Sequence, residues 1–271
     1  MKNGKVYLFF DWSMTINELM PNNTLNQEYF NNFLATLKQL EIVTGCDVEF
    51  VVVSGTSKPS AEKRTRALAQ AFSKANALKM FGGFAYEYGG YFMDASLNIT
   101  RLYNHKTHLG KKIDKLCEKY GVKKQDEFEL YYNFEFEKVD KHVEAFVAEC
   151  KQTFASKDFE FYSDIYGIGL DIKNKTLNKD RFVRHYLKGK PAYITIVGGD
   201  SVQDLKMLKH NTVKLKYFVG FENSEIPTGE NIVLSKKENI LGVIDALKQI
   251  IKQLEKQLWG EIIILLHTYR A

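Results

Sequence analysis

A chain of 271 residues, 45% hydrophobic and 26% charged with only four prolines, describes an ordinary folded soluble protein, either one large domain or two smaller ones. Its net charge of +5, with both signs interspersed, accommodates anionic ligands without demanding nucleic acid, which is not expected as a partner. Cys46, Cys117 and Cys150 are far apart and in no C-x-x-C pair, which speaks against a disulfide framework or a zinc site and for reduced cytoplasmic thiols.

The N-terminal "MKNGKVYLFFDW" meets Asp11 after five apolar residues, so no signal peptide is expected. The first predicted strand is "KVYLFF" (5–10). A helix follows over 26–40, then a strand "VEFVVVS" (48–54) and a helix over 60–74. Continuous apolar runs rich in Val, Ile and aromatics suit parallel strands covered on both faces. From 97 to 174 the pattern changes. Amphipathic helices over 108–121 and 139–154 accompany alternating or aromatic strands at 128–136, 159–164 and 167–173, the signature of a sheet covered on one face. The first style then resumes with a helix over 178–188, a strand "AYITIVGG" (192–199), a helix over 201–210 and a strand "TVKLKYFVG" (212–220). The expected fold is α/β: a Rossmann-like parallel-sheet core from 1–96 and 175–271, with a smaller α+β domain inserted at 97–174. Near the C-terminus "EIIILLHTY" is apolar for five residues only, too short to span a bilayer, so no membrane partner is expected and the location is expected to be cytoplasmic.

Ligands of an open parallel sheet bind beyond the carboxyl ends of its strands. Three of the buried strands end there in polar residues: Asp11, then Ser54-Gly55-Thr56, then Gly198-Gly199-Asp200-Ser201. Each alone reads equally as a turn or a helix cap. Together they suit a phosphate and a divalent metal. Asp11 and Asp200, at neighbouring strand tips, could share one Mg²⁺, and Ser54 with the backbone N–H groups after it could cradle a phosphate. Lys179 would add a positive charge, and Asp204, one turn beyond Asp200, could orient Lys179.

The stretches "DWSMT" (11–15), "VVVSGT" (51–56), "NKTLNKDRF" (174–182) and "VGGDSVQDLKML" (197–208) resemble the four ordered motifs of the haloacid dehalogenase superfamily. The insertion, with "YEYGGYF" (86–92) and "ENILGVIDAL" (238–247), resembles the Cof-type, sugar-phosphatase-like branch and its α/β cap. The resemblance implies a Mg²⁺-dependent phosphatase of a small phosphorylated metabolite. It makes Asp11 the nucleophile that forms an aspartyl-phosphate. The metal ligands would be the Asp11 carboxylate, the Ser13 carbonyl and Asp200, with Asp204 holding Lys179 or a metal-bound water. Ser54, Gly55 and Thr56 would bind the phosphate with Lys179, and Thr15 takes the place of the family's hydroxyl residue.

Ser13 stands where these phosphatases carry a second Asp, the group that protonates the leaving oxygen and then activates water. A slow enzyme is one consequence; a relative that binds phosphorylated ligands or regulates without turnover is the alternative. Thr56 and Gln203 replace a basic residue and an Asn respectively. Outside these motifs, His105 and His108 form an H-x-x-H pair better read as solvated than as metal ligands. The basic "HKTHLGKKIDK" reads as an exposed helix face, and the aromatics of "ELYYNFEFE" equally as packing or as a stacking surface for a sugar or base.

Overall fold

The structure, a computed structural model, describes residues 4–103, 110–125, 127–154, 158–163, 169–209, 215–224 and 226–268, with residue 163 and residues 258–268 as backbone only. His105 and His108 lie outside the described residues. The first elements in chain order are β1 (Lys5–Phe10), α1 (Gln27–Thr44), β2 (Val48–Val53), α2 (Lys58–Lys74), β3 (Phe81–Tyr86), β4 (Tyr91–Asp94) and β5 (Ile99–Arg101). A smaller unit follows, with α3 (Gly110–Tyr120), β6 (Tyr132–Glu135), α4 (Lys141–Thr153), β7 (Phe159–Ser163) and β8 (Gly169–Asn174). The chain then continues through α5 (Lys179–Leu187), β9 (Ala192–Gly198), α6 (Val202–Leu205), β10 (Leu215–Phe221), β11 (Ile232–Ser235) and α7 (Asn239–Thr268).

Eight strands form the large sheet in the order β11-β10-β9-β1-β2-β3-β4-β5. The first six run parallel, and β4 and β5 are antiparallel additions at one edge. Alternate residues of β1 reach opposite faces, as strand geometry requires. Val6, Leu8 and Phe10 pack with α1, α2 and α7 through Phe33, Phe72 and Leu247, whereas Tyr7 and Phe9 pack with α5 through Phe182 and Val183. Both faces are therefore covered, which is why the strands read as unbroken apolar runs. The smaller sheet, in the order β6-β8-β7, is wholly antiparallel. One face packs on α3 and α4 through Ile113, Leu116, Phe134, Phe146, Leu170 and Ile172. The Rossmann-like core and the smaller α+β unit are those expected.

Three differences from expectation have physical causes. Helix α1 runs on to Thr44 because that residue is buried and donates its hydroxyl to the Leu40 carbonyl at 2.7 Å; Gly45, at φ 63°, then ends the helix in the left-handed conformation. Strand β3 contains two glycines, which hide it in the sequence. The structure leaves room for a side chain at neither: a Cβ would lie 2.7 Å from the Tyr186 hydroxyl at Gly82 and, at Gly83 with φ 133°, 2.2 Å from the Met93 carbonyl oxygen of β4. The helix expected over 201–210 is one α-turn, α6, continued by a 3₁₀ turn over Lys206–Lys209. Among the described residues no helix is long and apolar enough to cross a membrane. The three cysteines are free thiols.

Candidate active site

Strand β1 lies between β9 and β2, so the loops leaving their carboxyl ends stand side by side. The first carries Asp11, whose N–H donates to the Gly198 carbonyl at 2.9 Å and so begins its loop in register with β9. The second carries Ser54 and the third Asp200. A short turn carries the chain away from Asp11, with Ser13 exposed, Met14 at φ 53° and Thr15 fully buried.

The opening residue of α5 joins these loops. Lys179 Nζ lies 2.8 Å from Asp11 Oδ1 and 2.7 Å from Asp204 Oδ1. Asn178 fixes the start of that helix by accepting the Arg181 N–H at 2.8 Å. Asp204 is held from its other side: Ser201 donates its N–H at 3.2 Å and its hydroxyl at 2.7 Å to Oδ2, closing a capping box at the head of α6. Gly199 makes room for this arrangement, since a Cβ there would sit 2.2 Å from Asp204 Oδ2. Asp11, Asp200 and Asp204 bring carboxylate oxygens within 4.8 Å of one another. Clustered hard oxygen donors of this kind suit Mg²⁺.

Burial raises the Asp11 carboxyl to about 7; Lys179 pulls against this, while Asp204 and Asp200 reinforce it. Burial also raises Asp200, helped by Asp204 and opposed by Lys179. The Lys179 ammonium loses solvation by burial, yet Asp11 and Asp204 more than restore its proton affinity and keep it charged. Desolvation of clustered like charges is what a bound cation relieves.

On the β2 side, Ser54 is buried and its Oγ accepts the Thr56 N–H at 3.3 Å. Gly55 lets the Tyr88 ring come close, since a Cβ there would lie 3.0 Å from the ring. The Tyr88 hydroxyl donates to Asp171 Oδ2 in the smaller unit, and the Tyr131 hydroxyl donates to the Gly55 carbonyl at 2.5 Å. A cavity of about 500 Å³ extends from Asp11, Ser13, Ser54, Thr56, Lys179, Asp200 and Gln203 to the small sheet. Strand alternation builds its far wall. Phe134, Leu170 and Ile172 face the helices of the small unit, so Asn133, Glu135, Asp171 and Lys173 face the cavity, with Glu160 and Tyr162 from β7 beside them.

All the residues singled out in the four motifs therefore converge on one cavity or its floor. Sequence reasoning missed the far wall and Arg64 of α2. The wall's signal was the polar alternation in "GLDIKN". Arg64's signal was a cation on the stripe of α2 that also carries Ala61, Thr65, Leu68 and Phe72, all buried.

No protein-family model matches the chain, and no curated protein matches it in sequence. Solved structures do match. The C-terminal domain of trehalose-6-phosphate phosphatase from C. albicans is 14% identical with a TM-score of 0.61, the match covering 92% of this chain and 92% of that one. A haloacid dehalogenase-like hydrolase from Bacteroides thetaiotaomicron is 14% identical with a TM-score of 0.58, covering 92% of this chain and all of that one (100%). A sugar phosphatase of haloacid dehalogenase subclass IIB is 14% identical with a TM-score of 0.55, covering 91% and 99%. The chain thus shares, over nearly its whole length, the fold of these solved structures, among them a haloacid dehalogenase-like hydrolase and two phosphatases.

Proposed function

We propose that this protein is a Mg²⁺-dependent phosphatase of a small phosphorylated metabolite, a sugar phosphate or similar, acting through an aspartyl-phosphate on Asp11. One observation carries the reading: Lys179 bridges Asp11 and Asp204, with Asp200 beside them, at adjacent parallel strand tips beneath a polar wall. The similar phosphatase structures, whose substrates are phosphorylated sugars, support the substrate class.

In this account the smaller unit is a cap over the site. Asp11 attacks phosphorus, the bond from phosphorus to the leaving oxygen breaks, and that oxygen takes a proton from water. A second water, giving a proton to the hydroxide left by the first, then attacks phosphorus, the bond to Asp11 breaks, and orthophosphate leaves. Lys179 keeps Asp11 oriented and balances charge on the transferring group, and Asp204 holds Lys179 in place. Ser54 and the N–H groups of Gly55 and Thr56 bind phosphoryl oxygens. Asp11, Asp200 and the Ser13 carbonyl would hold Mg²⁺, with Asp204 near its water shell; the ion supplies electrostatic stabilisation of the phosphoryl group.

Asp11→Asn is expected to abolish Mg²⁺-dependent phosphate release from an aryl phosphate, and unchanged turnover would overturn the reading. A second reading, binding without turnover, rests on Ser13, whose hydroxyl is no acid at neutral pH. It is favoured if wild-type protein binds Mg²⁺ and orthophosphate yet releases no phosphate from any of a panel of phosphate esters.

A further inference from the structure

The cluster at the strand tips carries an excess of negative charge. Three carboxylates stand against one lysine, and that ammonium is committed to two of them. A phosphoryl group brings about two more negative charges. A single divalent cation offsets the carboxylate excess and leaves the phosphoryl charge unmatched. A further fixed cation lining the cavity, in addition to Lys175 and Lys206, would match it.

Arg64 stands there. Its guanidinium lies 4.6 Å from the centre of the Trp12 ring, directly after Asp11, and its Nη1 donates to the Thr56 hydroxyl at 3.0 Å. It therefore touches both the loop after β1 and the loop after β2, and it lines the same cavity as Asp11, Ser13 and Ser54. Among the described residues no carboxylate pairs with it, and its Nε is buried without a hydrogen-bond partner. A guanidinium has five N–H donors in a planar fork, and the aromatic face beneath this one offers no acceptor. A cation so placed, half-buried and with most donors free, is poorly explained as a surface charge, because α2 presents it on its buried stripe.

We propose that Arg64 binds the phosphoryl group of the substrate, completing a clamp whose opposite jaw is Lys179. The inference rests on the phosphatase reading and adds a phosphate-binding residue outside the four motifs. Arg64 takes up from α2 the cationic role that Thr56 lacks, and the Thr56 hydroxyl orients the fork.

The test is titration of inorganic phosphate, with Mg²⁺ present, into wild type, Arg64→Gln, Arg64→Lys and Arg64→Ala, alongside thermal melts and steady-state kinetics on an aryl phosphate. Wild type binds phosphate; Arg64→Gln weakens it by roughly tenfold or more. Arg64→Lys, which keeps the charge and loses the fork, weakens it less. KM rises more than kcat falls. Guanidinium ion at low concentration restores phosphate binding to Arg64→Ala, which a purely structural role does not predict, and this result decides the matter even if Arg64→Gln melts early. Equal phosphate affinity in wild type and the folded variants, or no rescue, overturns the assignment and leaves the phosphatase reading standing. Absence of phosphate binding in wild type overturns both.

Discussion

Ser13 separates two jobs that one aspartate does, with its backbone carbonyl and its side chain, in the phosphatases this motif resembles. Its backbone carbonyl remains available to a metal, whereas its hydroxyl supplies no proton near neutral pH. General acid–base help accelerates reactions by roughly 10²–10⁴, so Ser13→Asp is expected to raise turnover by at least roughly tenfold, through the leaving-group proton on an alkyl ester and through hydrolysis of the acyl phosphate on an aryl one. Steady-state rates on an alkyl and an aryl ester check this; equal, negligible gains on both would contradict it. Gly199 is a second pivotal position. With a Cβ 2.2 Å from Asp204 Oδ2, Gly199→Ala must push Asp204 off Lys179. The expected cost is about 1–3 kcal/mol of stability, with loss of turnover in protein that still folds, read from melts and kinetics together. A full-rate variant would show that Asp204 does not position Lys179.

At the scale of elements, the loop between β3 and β4 ties the core to the segment that leads into the small sheet. Glu87 and Tyr88 both adopt positive φ, 46° and 56°. Fully buried, Glu87 accepts the N–H groups of Glu129 and Leu130 through Oε2, at 3.0 and 2.7 Å, while its Oε1 has no partner. Burial raises its carboxyl to about 7 despite those two donors. The folded chain therefore keeps this proton up to about pH 7, whereas an unfolded chain releases it near the ordinary value of 4.5. Its contribution to stability is full below that value and is lost as pH rises through 7, because the folded state then binds the extra proton. Melting temperature is expected to fall between pH 5 and 8, and Glu87→Gln to flatten the fall by up to about 3 kcal/mol in stability. An unchanged pH profile in the variant would contradict this.

Elements buried on both faces were the legible ones. β1, β2, β9 and β10 are hydrophobic runs because helices cover both sides, and the polar residues at their tips stand out against such runs. The β3 to β5 edge was not legible, since the glycines that let β3 meet β4 remove its strand signature. Arg64 was not legible either. Its meaning depends on Trp12 and Thr56, which lie 52 and 8 residues away in sequence and meet it only when α2 packs on the sheet.

At the scale of the whole molecule, the site lies between two bodies, with its charged floor on the large sheet and its polar wall on the small one. The Tyr88 hydroxyl to Asp171 and the Tyr131 hydroxyl to Gly55 couple them directly. On the proposed reading, wall residues of both charges, with Asn133 and the tyrosines Tyr88, Tyr131 and Tyr162, match a hydroxyl-rich leaving group better than an apolar one. A ligand that binds only the folded chain stabilises it by about 2.7 kcal/mol at a hundredfold excess over Kd. Mg²⁺ and orthophosphate together are thus expected to raise the melting temperature more than the sum of their separate effects, and chelation to reverse the gain. Purely additive shifts would contradict a shared site.

The central claim is that Asp11 accepts the phosphoryl group. Without an acid/base carboxylate at position 13, hydrolysis of the acyl phosphate is slow, so with an aryl phosphate, whose leaving oxygen needs no acid, the intermediate accumulates. Acid-quenching wild-type protein during turnover and weighing the peptide that contains Asp11 is the most direct measurement. The account predicts one phosphoryl adduct on that peptide, Mg²⁺-dependent, diminished in Ser13→Asp and absent in Asp11→Asn. Continued phosphate release with no adduct on Asp11, undiminished in Asp11→Asn, would contradict it.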